Sequence, residues 1–279
     1  MTARDNLLSL HHLTVSDVPA PELVDIAAAT GCRYVGVFVR GAQRDNDPFP
    51  VISGDAARRA LIARLDATGV RVHNLEVFII RPSTRPGDFD AALEMGAAIG
   101  AARLTAQIAD ANDARAFDNF AALCERAASF DLAVHIEFNA FSIVNSLQAT
   151  QKFLSGRKPA NASIALDALH LYRNDGGLDG LSGLAPSLIG YAQICDGPLR
   201  IAPEMQMAEA IDERAIPGEG EFDLTRFVAS LPPDVVIDVE APSRRLRDNG
   251  VSALERARRA VDAARGIIAA AGNRGANSS

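Results

Sequence analysis

Residues 133–167 read AVHIEFNAFSIVNSLQATQKFLSGRKPANASIALD and decide the fold class. Two short, mostly apolar runs at 133–138 and 163–167 enclose a longer amphipathic run at 145–156. Near-continuous apolar runs are typical of parallel strands that are covered on both faces, and a helix usually makes the crossover between such strands. The stretch therefore predicts a strand–helix–strand unit.

The same alternation extends over the rest of the chain. Candidate strands lie at 7–13, 34–39, 70–78, 102–108, 133–138, 163–167, 189–195 and 235–240, and candidate helices at 20–30, 54–68, 87–100, 113–130, 145–156, 178–187, 222–230 and 251–271. Eight such pairs in 279 residues predict a single-domain (β/α)8 TIM barrel over residues 1–271. An open doubly wound sheet is the alternative, but no GxGxxG motif of a dinucleotide site follows the first strand. We expect residues 272–279 (GNRGANSS) to form a disordered tail.

Composition and charge exclude several classes of protein. Apolar residues make up 48% of the chain, as in ordinary globular proteins, and 28 basic against 35 acidic residues give a net charge of −7. An acidic balance argues against a nucleic-acid partner. No apolar run reaches the roughly 18 residues that span a bilayer, and the first residues lack a signal-peptide layout, so we expect a cytoplasmic protein with no membrane partner. Three widely spaced cysteines predict neither a disulfide framework nor a cysteine metal motif.

Polar side chains stand at the carboxyl ends of four successive candidate strands, where the active site of a βα barrel forms. They are Glu137, Asp167, Gln193 and Glu240. Carboxylates held together without a partner are costly to bury, and a divalent cation would offset that cost. Three carboxylates and one amide oxygen suit Mg²⁺ or Mn²⁺ better than a structural zinc, with Mn²⁺ the first choice. The sequence therefore predicts a metal site with these four ligands.

Other polar residues are candidates for the same mouth. His11 and His12 end the first strand, and we favour His12 as the one that reaches the substrate pocket. Glu76 alternates with Asn74 inside the third strand, so it either lines the pocket or pairs with an arginine. Asp196, after the seventh strand, is a further candidate for the substrate site, where it would orient a ligand; the alternative is that it caps a loop. The loop that it begins, 196–222, is long enough to be functional.

Five motifs in residues 133–242 resemble the sugar phosphate isomerase/epimerase family, the xylose-isomerase-like barrels. They are HIEF with Glu137, LDALH with Asp167 and His170, QICD with Gln193 and Asp196, RAIPGEGEFD from Arg214 to Asp223, and DVEAP with Glu240. The family includes hydroxypyruvate isomerase, ketose 3-epimerases and inosose dehydratase, and the resemblance implies one divalent metal held at the four positions named above. Gln193 stands where many epimerases have histidine. A glutamine at this position resembles the hydroxypyruvate isomerase branch of the family.

The resemblance also implies a reaction. The substrate would be a small keto sugar, polyol or sugar acid whose oxygens bind the metal, which acts as a Lewis acid. One of Glu137 and Glu240 would remove a proton α to the carbonyl to give an enediolate, and the other would return a proton. His170 and Arg214 would contact substrate oxygens, and the guanidinium would stabilise a developing oxyanion.

Two further functions remain open at this stage. Loss of a hydroxyl after enolate formation would make the same site a dehydratase of an inosose-like or keto-sugar substrate. A barrel without catalysis would only bind a ligand. Barrels of this family often form dimers or tetramers, so the resemblance leaves a homo-oligomer open.

Overall fold

The computed structural model describes residues 7–41, 49–174 and 177–276, with side chains described as far as residue 272. Its strands are β1 (Leu8–His11), β2 (Tyr34–Phe38), β3 (Arg71–Ile80), β4 (Arg103–Ile108), β5 (Ala133–Glu137), β6 (Ala162–Asp167), β7 (Ile189–Ile194) and β8 (Ile237–Val239). Its helices are α1 (Ala20–Ala29), α2 (Gly54–Thr68), α3 (Asp90–Ala98), α4 (Asp113–Ala128), α5 (Leu147–Leu154), α6 (Ala168–Asn174), α7 (Gln206–Asp212), α8 (Leu224–Ser230), α9 (Arg244–Asp248) and α10 (Ala253–Ala276).

The strands form one closed parallel barrel in sequence order, with β1 paired to β8. This confirms the predicted single-domain (β/α)8 TIM barrel. The strands bury outward-facing aliphatic residues against the surrounding helices, and one large cluster of buried apolar residues joins the two layers. Among the described residues, no helix is both long and apolar enough to cross a membrane.

The helical prediction is wrong after β6. Residues 178–187 form two short 3₁₀ turns, Leu178–Leu181 and Pro186–Leu188, instead of a helix, and the helix at this place is α6, which begins directly after Asp167. Glycines at 177, 180 and 183 and a proline at 186 interrupt the apolar pattern, and both residue types disfavour an α-helix interior.

The last helix also differs from the expected boundary. Helix α10 runs to Ala276, so the first five residues of the expected tail, 272–276, are helical. They follow an alanine-rich run that extends the helix, since alanine is the best helix former. Residues 277–279 lie outside the described residues, and the domain limits at 271 and 272 otherwise stay a prediction.

The inner face of the barrel is polar for much of its depth. Strand alternation places residues two apart on the same face. The inward pairs include Ser9 and His11, Asn74 and Glu76, Thr105 and Gln107, His135 and Glu137, and Asp238 and Glu240. The first member of each pair lies deeper in the barrel and the second lies nearer the carboxyl ends of the strands. One ring of polar side chains therefore lies at the mouth of the barrel, and a second polar ring lies beneath it.

Glycine is required where the deeper ring meets a neighbouring strand. A Cβ at Gly190 would overlap the ring of His135 and the hydroxyl of Ser163, which contact each other. A Cβ at Gly36 would come within 2.6 Å of Asp238 Oδ2 and 2.9 Å of His11 Cδ2. The absence of a side chain at Gly36 on β2 and at Gly190 on β7 thus leaves room for polar groups inside the barrel.

We expect Gly190→Ala to lower the free energy of unfolding by about 1–3 kcal/mol, because the added methyl group overpacks the His135–Ser163 contact. Gly266→Ala is the matched control, since a Cβ there meets nothing within 4 Å and the residue lies inside α10. It should stabilise the protein by about 0.5–1 kcal/mol. Urea unfolding measures both, and equal stabilities for the two variants would contradict the packing argument.

Candidate active site

The four expected metal ligands stand at the carboxyl ends of β5 to β8. Two of them, Glu137 and Asp167, belong to one donor cluster with His170, and Glu240 lies outside that cluster. Glu137 is the last residue of β5, Asp167 the last of β6 and Gln193 the last but one of β7, while Glu240 directly follows β8. All four side chains are buried. Glu137 and Glu240 also line a pocket that opens at this end of the barrel. The barrel therefore brings together residues that lie more than 100 positions apart in the chain.

The donor atoms are arranged in a way that fits a cation. Glu137, Asp167 and His170 each offer one atom within 4.8 Å of the other two. His170 lies on α6, and its Nε2 is 3.6 Å from Asp167 Oδ2. Gln193 donates its amide hydrogen to Glu240, while its buried Oε1 has no hydrogen-bond partner. A buried acceptor without a partner is costly, and coordination to a metal would satisfy it.

The charge at the mouth supports the same conclusion. Four carboxylates lie here, those of Glu76, Glu137, Asp167 and Glu240, against the cationic side chains of Arg214 and His11. With all four carboxylates ionised and His11 protonated, two negative charges remain, which is the charge that one divalent ion neutralises. An oxygen-rich, acidic donor set is typical of Mg²⁺ and Mn²⁺ sites, and the nearby imidazole also suits zinc.

Arg214 bridges two of the expected ligands. Its Nη1 donates to Asp167 Oδ2 at 2.9 Å, its Nη2 lies 3.1 Å from Glu240 Oε1, and its Nε donates to the carbonyl of Ala210 at 2.9 Å. The side chain is buried and lines the pocket. The predicted substrate contact of Arg214 is compatible with this position, and the structure adds its role as a counter-charge for two carboxylates.

The two glutamates have unusual electrostatic surroundings. Burial, together with the charges of Glu76, Glu240 and Asp167, raises the pKa of Glu137 well above its ordinary value. Burial raises the pKa of Glu240 to about 8, although Arg214 and His11 oppose that rise. Burial would also raise the pKa of Asp167, but Arg214 and His170 hold it below its ordinary value. Asp167 is therefore set apart from the two glutamates as the permanently ionised carboxylate.

The histidine at the mouth is His11, and the expectation for His12 does not match its position. His11 Nε2 lies 3.1 Å from Glu76 Oε1, and its Nδ1 lies 3.6 Å from Glu240 Oε1. Burial alone would lower the pKa of His11, but these two carboxylates raise it to about 10. His12 begins a 3₁₀ turn instead, where its Nε2 lies 2.9 Å from the carbonyl of Val18 and its side chain is not part of the pocket lining.

Asp196 organises a loop and does not reach the pocket. Its Oδ1 accepts from the backbone N–H groups of Gly197 (2.8 Å) and Phe222 (3.0 Å), and its Oδ2 accepts from that of Gly218 (2.8 Å). The backbone N–H of Asp196 also donates to the carbonyl of Ala215, and the N–H of Ala215 donates to the carbonyl of Asp196. Asp196 therefore matches the alternative of a loop cap and not the expected role at the substrate, because all of these bonds close the long loop after β7. The same pairing fixes the residue next to Arg214.

Sequence reasoning missed Gln107 and the apolar wall. Gln107 Nε2 donates to Glu137 Oε2 at 2.6 Å, and its place next to the end of β4 is the signal that could have revealed it. The wall is built from loops and strand ends distant in sequence: Leu13, Phe38, Phe49, Val77, Ile79, Phe141, Met207, Ala210 and Ile211. Phe38 and Phe49 stack at 4.5 Å between ring centroids. No local pattern marks such a wall before the barrel is closed.

We expect Mn²⁺ to raise the melting temperature of the protein, because an ion that binds only the folded state stabilises it by about 2.7 kcal/mol at 100 times its Kd. Asp167→Asn should abolish most of this shift. Asp238→Asn is the matched control, since Asp238 is equally buried but stands outside the pocket lining and the donor cluster. Differential scanning calorimetry with and without Mn²⁺ measures the shift, and an unchanged shift in Asp167→Asn would contradict the site.

The chain matches solved structures over most of its length. A structure of the IolI protein with a bound zinc atom has a TM-score of 0.77 at 14% identity and covers 94% of this chain and 98% of that chain. D-allulose 3-epimerase from Methylomonas sp., in complex with D-allulose, has a TM-score of 0.70 at 16% identity, with 93% and 96% covered. At such identities the likeness shows the fold alone.

A dehydratase is also among the similar structures. The probable 3-DHS dehydratase AsbF from Bacillus anthracis, involved in petrobactin synthesis, has a TM-score of 0.70 at 13% identity and covers 91% of this chain and 97% of that chain. No curated protein matches this sequence with significance. The model of one family, the xylose isomerase-like TIM barrels, matches residues 24–267. That match spans most of the sequence and agrees with the closed barrel and its acidic mouth, so the chain belongs to the xylose isomerase-like TIM barrel family.

Proposed function

We propose that the protein is a divalent-metal-dependent isomerase or epimerase of a small keto sugar, polyol or sugar acid. The observation that carries the proposal is the placement of two oriented, buried glutamates beside one set of metal-type donors. Glu137 and Glu240 come from strands three places apart in the ring, so they approach the pocket from different sides. Two carboxylates around one reacting carbon can remove a proton from one position and deliver one to another.

Neighbouring side chains hold each glutamate in place. Gln107 donates to Glu137, and Gln193 and Arg214 contact Glu240. Each contact restricts a carboxylate to one orientation, which proton transfer over hydrogen-bond distance requires. His170 lines the pocket beside Glu137 and can donate to a substrate oxygen, and Arg214 can stabilise the negative charge that develops there.

Glu137, Asp167, Gln193 and Glu240 would hold the metal, with His170 as a further donor. The bound ion would supply Lewis-acid polarisation of the substrate carbonyl. The hard oxygen donors favour Mn²⁺ or Mg²⁺. The zinc atom of the IolI structure makes zinc the competitor to test. The cytoplasmic location and a homo-oligomeric state stay predictions.

A dehydratase acting through the same two glutamates is the second candidate, supported by the structural likeness to AsbF. The two reactions share proton removal α to a carbonyl and differ in the next step. In an isomerase or epimerase the second glutamate returns a proton to carbon. In a dehydratase it protonates a departing hydroxyl, and the product is lighter by one water.

Solvent-deuterium exchange tests the shared step. In D₂O, with Mn²⁺, Mg²⁺ or Zn²⁺, the wild type should incorporate deuterium at the carbon next to the carbonyl of at least one compound from a panel of ketoses, inososes and sugar acids. Glu137→Gln and Glu240→Gln should lower the rate by about 10²–10⁴-fold, since each removes an acid/base group. Glu94→Gln, an exposed position on α3, is the control.

The outcomes of this assay separate the candidate functions. Mass spectrometry of the products distinguishes isomerisation from dehydration. Metal binding without exchange on any compound would leave a non-catalytic barrel and overturn the proposed enzyme. Full activity in both glutamine variants would overturn the assignment of the acid/base pair.

A further inference from the structure

A third carboxylate of the pocket has no part in the reaction described above. Glu76 lies on β3, and only 5% of the residue is exposed. It lines the same pocket as Glu137 and Glu240. It is outside the expected ligand set and outside the donor cluster of Glu137, Asp167 and His170. Its presence therefore needs a separate explanation.

The protein holds Glu76 by one oxygen. Oε1 accepts from Asn74 Nδ2 at 3.0 Å and lies 3.1 Å from His11 Nε2. Asn74 is fixed in turn, because the same amide group lies 2.9 Å from Thr105 Oγ1 and 3.0 Å from Tyr191 Oη. Both polar contacts of the Glu76 side chain among the described residues use Oε1, so Oε2 is the atom through which this carboxylate can accept a hydrogen bond from a ligand.

A purely structural role explains this arrangement poorly. Replacing a buried ion pair such as Glu76 with His11 by a well-packed apolar pair of the same volume is often neutral or stabilising, so stability alone gives little reason to keep it. Phe38, Val77 and Ile79 line the pocket around it. A carboxylate that is pre-positioned against an apolar wall is a strong and selective acceptor once water is excluded.

The position of Glu76 in the ring indicates which part of a ligand it would meet. The expected metal ligands come from β5 to β8, whereas Glu76 comes from β3 on the other half of the barrel. A ligand whose carbonyl end lies at β5–β8 extends its far end toward β1–β4. Gln107 also lies on that half, and its Nε2 donates to Glu137. Glu76 is thus the charged acceptor that the pocket lining offers to the far end on this half of the barrel.

We propose that Glu76 is a substrate-binding residue whose Oε2 accepts a hydrogen bond from a hydroxyl group of the substrate remote from its carbonyl, and that it selects polyhydroxylated substrates over their deoxy analogues. The inference rests on the proposed function for the orientation of the substrate. His11 and Asn74 are positioning residues for this contact. A site built to pair with a hydroxyl rejects an analogue that lacks it, because the buried charge then stays without a partner.

Calorimetric binding to the Mn²⁺-loaded protein tests the proposal without turnover. The probes are D-fructose and D-allulose, each with its 4-, 5- and 6-deoxy analogues. We expect one deoxy analogue of a ketose to bind the wild type about 10- to 100-fold more weakly than the parent, as for the loss of a hydrogen bond to a charged group. Glu76→Gln should weaken binding of the parent by a similar factor and leave the Kd of that analogue unchanged.

Three controls keep the contact apart from structural effects. The Mn²⁺ affinity of Glu76→Gln should fall far less than that of Asp167→Asn, since Glu76 adds charge to the mouth but is outside the donor cluster. Asp238→Asn removes another buried carboxylate beside His11 but outside the pocket lining, and it should keep full discrimination between parent and deoxy analogue. Glu76→Asp keeps the charge but withdraws it from the pocket, so it should also lose discrimination. This variant provides the test if Glu76→Gln does not fold.

The proposal is overturned if Glu76→Gln weakens parent and deoxy ketoses equally, if it loses Mn²⁺ affinity as severely as Asp167→Asn does, or if the loaded wild type binds neither ketose. These results are independent of the deuterium-exchange assay. Exchange without a Glu76 effect removes only the present inference. Discrimination through Glu76 without exchange on any compound removes only the proposed reaction.

Discussion

The concentration of buried carboxylates at one end of the barrel is the constraint on which the rest of the structure depends. Such groups repel each other and are costly to remove from water. The chain offsets this with Arg214 between Asp167 and Glu240, and with His11 between Glu76 and Glu240. Two negative charges remain when all four carboxylates are ionised and His11 is protonated, and the buried Oε1 of Gln193 has no partner. The mouth is therefore stable enough to fold and still suited to a divalent cation.

Much of the surrounding structure serves to hold these groups. The deeper polar ring positions the ring at the mouth, as Asn74, Thr105 and Tyr191 do for Glu76. Asp196 closes the long loop after β7, and its pairing with Ala215 fixes the backbone next to Arg214. These side chains are buried as well as oriented. Fixed dipoles and charges in such a pocket act more strongly than they would in water.

The family fixes the scaffold and leaves the chemistry to particular side chains. The IolI, epimerase and dehydratase structures share the barrel with this chain at 13–16% identity, although the names of the latter two indicate different reactions. On the proposed function, the pocket wall and residues such as Gln193 and Glu76 would distinguish one reaction from another. The two glutamates are the part that an isomerase, an epimerase and a dehydratase can all use.

The sequence by itself determined the alternation of strands and helices and the placement of Glu137, Asp167, Gln193 and Glu240 at strand ends. Both follow from local periodicity: a strand alternates its faces, and parallel strands present their carboxyl ends together. It failed at residues 178–187, where glycine and proline replace a helix by 3₁₀ turns. Only the tertiary structure decided that His11 and not His12 faces the mouth. The reason is that β1 ends at His11, and the 3₁₀ turn that begins at His12 directs the next ring toward Val18. It also decided the roles of Asp196, Arg214 and the apolar wall, because these depend on contacts between segments far apart in the chain, which no local pattern encodes.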